Sequence, residues 1–204
     1  MPEVLDEDAQ LMLAFAGGDA AAFDRLFDRW SGRLLHFLER MVRDRAVAEE
    51  LLQESFLRVH RARERYRPEG RFSTWLYTIA SNAARNELRR PFRRSPHQST
   101  DAEPEHAPAL QLVADAPGAE ELADARRRGD AVDAGLAELP PRQRAALWLA
   151  AVEGLSYAEV AAALDTTEKS VKSLVHRGRV ALAKQLEAQG LASETRTDAQ
   201  GARR

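Results

Sequence analysis

Cysteine is absent from all 204 residues, which excludes disulfides, thiolate metal sites and thiol catalysis and suits a reducing cytoplasm. Long apolar runs are missing too: nothing approaches the roughly 20 residues of a membrane-spanning helix. The opening Met-Pro-Glu-Val-Leu-Asp-Glu-Asp is acidic where a secretory leader is basic, so a cytoplasmic protein without membrane insertion is expected. Histidine is sparse, and His36, His60, His97, His106 and His176 form no H-x-x-x-H or H-E-x-x-H spacing. No metal or other cofactor is therefore expected. Neither charge sign dominates, with 30 Lys and Arg against 32 Asp and Glu, so contact with nucleic acid has to come from local patches. Carboxylates are plentiful, yet no pair is fixed in an apolar pocket beside a base, and no catalytic residue is expected. Strand-like alternation is lacking throughout, which makes the class all-α.

What is present centres on Gly154 to Leu186, which reads as two short helices joined by a tight turn. Ser156 and Glu159 form a capping box, and Leu155 before it staples onto Val160. Tyr157, Val160, Ala161 and Leu164 follow at helical spacing. The stripe stops at Asp165-Thr166-Thr167, short polar residues that favour turns and N-caps, so a second helix starts after Thr167. There Val171, Leu174, Val175, Gly178 and Leu182 share one face, while Lys169, Lys172, Ser173, His176 and Arg177 point the other way. From Lys169 to Lys184 the chain has five basic residues and no acidic one. A helix-turn-helix with such a second helix suits a major groove, although an ordinary helical hairpin with a solvated basic face shares the pattern.

Upstream, Asp8 to Ala16 suggests a first helix broken by Gly17-Gly18, after which Asp19 caps a second. Phe23, Leu26, Phe27, Trp30, Leu34, Phe37 and Met41 make its core stripe, with a bend expected near Ser31-Gly32. Asp44 to Tyr66 reads as another long helix with Leu52, Phe56 and Val59 on its buried side. Glu49, Glu50 and Glu54 precede a run of arginines in it, a polarity the helix dipole favours. Pro68 and Gly70 mark a loop. Phe72, Leu76, Ile79, Ala80 and Ala83 then share a helix face, and Asn82, Arg85, Asn86, Arg89 and Arg90 end it. Aromatics followed by Asn and Arg make a plausible single-strand surface, against the simpler reading of Trp75 and Tyr77 as core.

Four segments in order, Asp44–Leu57, Phe72–Asn82, Leu139–Arg144 and Gly154–Ala161, resemble the signature segments of bacterial sigma factors, closest to the small two-domain extracytoplasmic function (ECF) group. The resemblance covers nearly everything except the middle linker and the tail. It implies a non-enzymatic factor that binds RNA polymerase core, recognises −10 and −35 promoter elements and helps open DNA. Asp44, Glu49, Glu50, Leu52, Gln53, Glu54 and Phe56 then belong to the part that grips the clamp helices of the polymerase's largest subunit. Tyr66, Phe72, Thr74, Trp75, Asn82, Arg85 and Arg89 fall in the part that melts and reads the −10 element, with Arg90 a further phosphate contact. Lys169, Ser170, Lys172, Ser173, His176, Arg177 and Arg179 fall on the −35 helix. Partners implied in this way are polymerase core, including its flap region, promoter DNA and an anti-sigma factor.

Domain bounds follow: 1–94 for the first unit, 95–125 for an acidic linker, 126–188 for the second unit and 189–204 for a frayed tail. The linker stretch holds four prolines, seven acidic residues and no Lys or Arg. In the second unit Pro141 suits a helix N1 position, with Ala145, Trp148, Leu149 and Val152 as the buried stripe before Gly154. Two departures from the family stand out. Asp165 occupies a turn position where relatives often have glycine, and Leu174 and Val180 stand where basic residues are frequent, which predicts weaker −35 phosphate contact. The alternative to an initiation factor is a stand-alone helix-turn-helix regulator, which would bind duplex DNA tightly without polymerase.

Overall fold

The computed structural model describes residues 6–90 and 119–189. Most of the acidic stretch and the tail beyond 189 lie outside the described residues. Among the described residues the fold is all-α, as the missing alternation predicts.

α1 (Glu7–Ala16) starts at Asp6, whose Oδ1 accepts from the Ala9 N–H at 2.6 Å. It ends at Gly17 and at Gly18, whose φ of +105° only glycine adopts freely. Asp19 then caps α2 (Ala20–Val42). Ser31-Gly32, where a bend is expected, lies inside α2, which runs as unbroken helix for 23 residues. One exposed glycine weakens a helix by only about 1 kcal/mol, less than the burial of Leu26, Trp30, Leu34, Phe37 and Leu38 contributes. Arg43, at φ +60°, turns the chain, and Asp44 caps α3 (Arg45–Ala62) with a 3.0 Å bond from the Val47 N–H. A single 3-10 turn, Arg63–Arg65, precedes the Pro68/Gly70 loop and α4 (Phe72–Arg89). Phe37, Met12, Leu34, Val59, Phe72, Leu76 and Tyr77 fill the space between these helices. Phe27 departs from the expected stripe: it is 40% exposed, because the apolar arc of α2 is wider than the surface α3 and α4 cover.

The second unit comprises α5 (Ala119–Glu138), α6 (Pro141–Ala151), α7 (Tyr157–Ala163) and α8 (Glu168–Ala188). α5 begins well inside the stretch read as linker. Pro117-Gly118 ends the proline-rich part, and the Ala-Glu-Glu-Leu-Ala run after it consists of strong helix formers, a local signal that the pooled acidic composition concealed. Pro141 stands at the start of α6 as expected. Val152, read as buried, is the C-cap of α6 and 57% exposed, while Gly154 at φ +68° turns the chain so that the Leu155 N–H reaches the Leu149 carbonyl at 3.0 Å. Leu149, Leu155, Val160, Val171 and Val175 are the core here. The two units touch: α7 packs across α4, and α6 lies against the end of α2.

Candidate nucleic-acid interface

The helix-turn-helix is built from local signals. Ser156 and Glu159 complete the capping box in both directions, with 2.8 Å from the Ser156 N–H to Glu159 Oε2 and 3.3 Å from the Glu159 N–H to Ser156 Oγ. Asp165 adopts the left-handed conformation at φ +51°, which lets the Thr166 N–H close on the Ala161 carbonyl at 3.0 Å. Thr167 Oγ1 accepts from the Ser170 N–H and opens α8. On α8, Lys169, Lys172, Ser173, His176, Arg177 and Arg179 are exposed and Ser170 is half-buried. All of the residues expected at the −35 element thus stand along one outward surface, with Arg177 Nε also donating to the Ser173 carbonyl. Leu174 requires a correction. It is 7% exposed and packs in the core with Val171 and Val175, so it replaces no phosphate contact; only Val180, at 55%, stands at the surface.

α4 is arranged differently. Thr74, Asn82 and Arg85 fall on one stripe with Thr78 and Ser81, and an Arg85 guanidinium N–H donates to Asn82 Oδ1. Arg89 is exposed at the helix end, next to Arg90, which pairs with Glu87. Tyr66 and Phe72, two of the expected base-contacting residues, are core: 5% and 0% exposed, with ring centroids 6.3 Å apart. Burial first, then the charges of Asp6 and Asp8, push the Tyr66 phenol up to about 12. Trp75, half-buried with its ring 4.9 Å from Tyr66, is the aromatic left accessible for stacking. No side chain of its own segment caps α4. Instead the Phe72 N–H donates to Asp6 Oδ2 at 3.1 Å, so one carboxylate caps both α1 and α4.

α3 carries the face expected to meet polymerase. Glu49, Glu50, Gln53 and Glu54 are exposed, Leu52 is partly covered, and Glu49 and Glu54 pair along the helix with Arg45 and Arg58 at 3.1 and 2.5 Å. Asp44 works as the N-cap of this helix. Phe56 is 4% exposed and touches Phe23 and Phe27, so it supports the face without forming it. The apolar surface is supplied by Phe27, which the periodicity assigned to the core, and by Leu57, which it did not single out, exposed to 40% and 54%. Leu57, three residues after Glu54, carried the available signal: a leucine on a charged face.

Three features therefore coexist: an acidic helix with exposed apolar side chains, an Asn/Arg helix bedded on aromatics, and a basic helix-turn-helix. Two family models match the chain, one over each unit. Residues 26–94 match sigma-70 region 2 and residues 129–182 match sigma-70 region 4. RNA polymerase sigma factor CarQ of Myxococcus xanthus is 40% identical over 168 residues, 82% of this chain and 90% of that one. The sigma-H factor of Pseudomonas aeruginosa is 33% identical over 186 residues, covering 89% and 95%. The fold is shared with CnrH, solved in complex with the cytosolic domain of CnrY, at a TM-score of 0.64 and 23% identity over 90% of this chain and 99% of that one. It is also shared with sigma factor RpoE from Bartonella quintana, solved with the anti-sigma factor NepR, at a TM-score of 0.61 and 21% identity over 81% and 96%. The chain belongs to the sigma-70 family of RNA polymerase sigma factors, in its extracytoplasmic function group.

Proposed function

We propose that α8 reads the −35 element, that the Thr74–Arg89 surface of α4 holds the separated −10 strand, and that the Glu49–Leu57 face of α3 docks on the clamp helices of polymerase's largest subunit. As a sigma factor the chain binds RNA polymerase and directs promoter-specific initiation, and the alternative of a stand-alone regulator is not favoured. The family is non-enzymatic, so opening the duplex rests on differential binding. Captured bases and an unpaired strand gain stacking and phosphate contacts that offset a few kcal/mol of lost pairing. Lys169, Lys172, Arg177 and Arg179 hold phosphates, and Ser170, Ser173 and His176 stand where base edges pass. The second unit meets the flap region of polymerase. CnrH and RpoE were each solved with a protein partner, and this chain, in the same reading, is held inactive by an anti-sigma factor over its polymerase-facing surfaces.

The observation that carries the reading is the single outward row of basic and hydroxyl side chains on the second helix of the helix-turn-helix, with their apolar counterparts buried behind. Run-off transcription from a genomic promoter library, with core polymerase and this protein, tests it. Discrete transcripts are expected, and Asn82→Ala or Glu54→Arg removes most of them. Transcripts unchanged by both variants would overturn the α4 and α3 assignments.

A further inference from the structure

The cleft between the two units combines features that promoter reading does not account for. Its volume is about 400 Å³, within the range of small-molecule sites. Phe37 and Met41 of α2, Ala84 of α4, Ala145 of α6 and Leu164 after α7 line it with carbon, and all five are buried. Leu88 of α4, 41% exposed, stands at the mouth. Two sets of contacts hold the walls in place. The buried Arg144 guanidinium donates to the Arg40 and Met41 carbonyls in the last turn of α2 and to the Ala137 and Leu139 carbonyls at and just after the end of α5. Glu153, just after α6, accepts from Arg33 Nη2 of α2 at 2.7 Å and from Trp148 Nε1 at 3.1 Å.

Four polar side chains line the same cleft, Ser81, Arg85 and Arg89 from α4 and Arg142 from α6. Spacing by four places Ser81, Arg85 and Arg89 one above another on a single helix face. Ser81 is 9% exposed, and its hydroxyl has no hydrogen-bond partner among the described residues. Ser55 and Thr78, also within helices, donate instead to the carbonyl four residues back, at 2.7 and 2.8 Å. The three guanidiniums have no carboxylate partner among the described residues: Arg85 donates to Asn82 Oδ1, and Arg142 reaches the Leu164 carbonyl at 3.5 Å. Glu87, the one acidic residue of α4, pairs with Arg90. Arg33 and Arg40, which cross the same boundary, have Glu153 and Asp133. Like charges four residues apart repel, and a buried donor without an acceptor is costly, so an anion here would relieve both. A bare phosphate would answer the cations and leave the carbon walls wet. An amphipathic anion answers both.

We propose that this cleft is a binding site for a single-chain amphipathic carboxylate of the fatty-acid class. The carboxylate lies between Arg85 and Arg142, on opposite walls, and accepts from the Ser81 hydroxyl, while Arg89 adds positive charge at the mouth. The alkyl chain runs against Phe37, Met41, Leu88 and Leu164. A linear chain suits walls that are almost entirely aliphatic, since Phe37 is the one ring on which an aromatic ligand could stack. Arg85 and Arg89 also belong to the surface assigned above to the −10 strand, so the ligand and the strand compete for them. That consequence rests on the proposed function, whereas the site itself does not.

Isothermal titration calorimetry of the full-length chain with monomeric decanoate tests the site. Saturable binding of one decanoate per chain is expected, tightening about fourfold for each added CH₂ from octanoate to dodecanoate. Decanol, the same chain without the charge, should bind at least about tenfold more weakly. Arg142→Glu changes an exposed residue and should bring decanoate down to the level of decanol, with Arg142→Lys recovering most of the loss. Leu88→Gln, also at the surface, should weaken decanoate and decanol alike, which loss of a charge contact would not do. No saturable binding at millimolar decanoate overturns the site, and so does binding only above the micelle concentration or equal affinity for decanol. Decanoate binding that survives both Arg142→Glu and Leu88→Gln lies elsewhere and overturns it too. Saturating decanoate should also lower affinity for a dye-labelled single-stranded oligonucleotide. Decanoate that binds as expected but leaves strand affinity unchanged upholds the site and removes the α4 assignment instead.

Discussion

The two helices assigned to DNA, α4 and α8, are solved in opposite ways. α8 is capped by its own neighbour Thr167, buries Val171, Leu174, Val175 and Gly178, and leaves the opposite face, with Lys172, Ser173, His176, Arg177 and Arg179, exposed. α4 is capped by Asp6 from 66 residues away, packs its own Phe72 and Tyr77 against Trp30 of α2, and is crossed by α7. Duplex DNA needs no rearrangement to meet α8, whereas a strand bound to α4 has first to be separated. A chain with net charge −2 lacks the overall attraction that would hold it on DNA without polymerase.

The largest expected difference between the helices is in stability. Phe72→Ala empties a fully buried site among Trp30, Tyr66 and Trp75 and should cost about 3–5 kcal/mol by denaturant unfolding. His176→Ala on α8 should stay within about 0.5 kcal/mol. Equal costs would erase the contrast between a structural and a surface DNA helix. Next comes the capping. Asp6→Ala removes acceptors from two helix N-termini and should lose about 2 kcal/mol, against about 1 kcal/mol for Thr167→Ala, which uncaps α8 alone. Paired chemical melts of the two variants check this, and a ratio near one would show that the long-range cap on α4 contributes nothing. The smallest effect sharpens the picture of α8. Lys172→Ala should lower the slope of log affinity against log salt for a −35 duplex, measured with polymerase holoenzyme, by about 0.9. Ser173→Ala should leave that slope unchanged and alter preference among sequences instead.

The sequence was most informative where structure is local. The capping box at Ser156 and Glu159, the left-handed Asp165, the Thr167 cap and the apolar stripe of α8 all act within a few residues, and all are found as read. The same holds for Asp19, Asp44 and Pro141 at helix starts. Misreadings arose where two surfaces compete for one residue. Tyr66 and Phe72 carry the pattern of either a binding aromatic or a core aromatic, and only the helices packed around them decide for core. Phe27 and Val152 went the other way, because periodicity gives the direction of a side chain and not the extent of the neighbour that would cover it.

By itself, then, the chain determined its all-α class, the starts of α2, α3, α6, α7 and α8, its helix-turn-helix and the basic row on α8, since each follows from short-range hydrogen bonding, backbone preference or the 3.6-residue repeat. The cap that Asp6 places on α4, the burial of Arg144 between two helix ends and the seating of Glu153 against Arg33 were decided by the tertiary structure alone. These join residues 66, 103 or 104, and 120 positions apart. No local preference encodes such pairs, because they exist only once independently formed helices have packed and left particular carbonyls and charges facing one another.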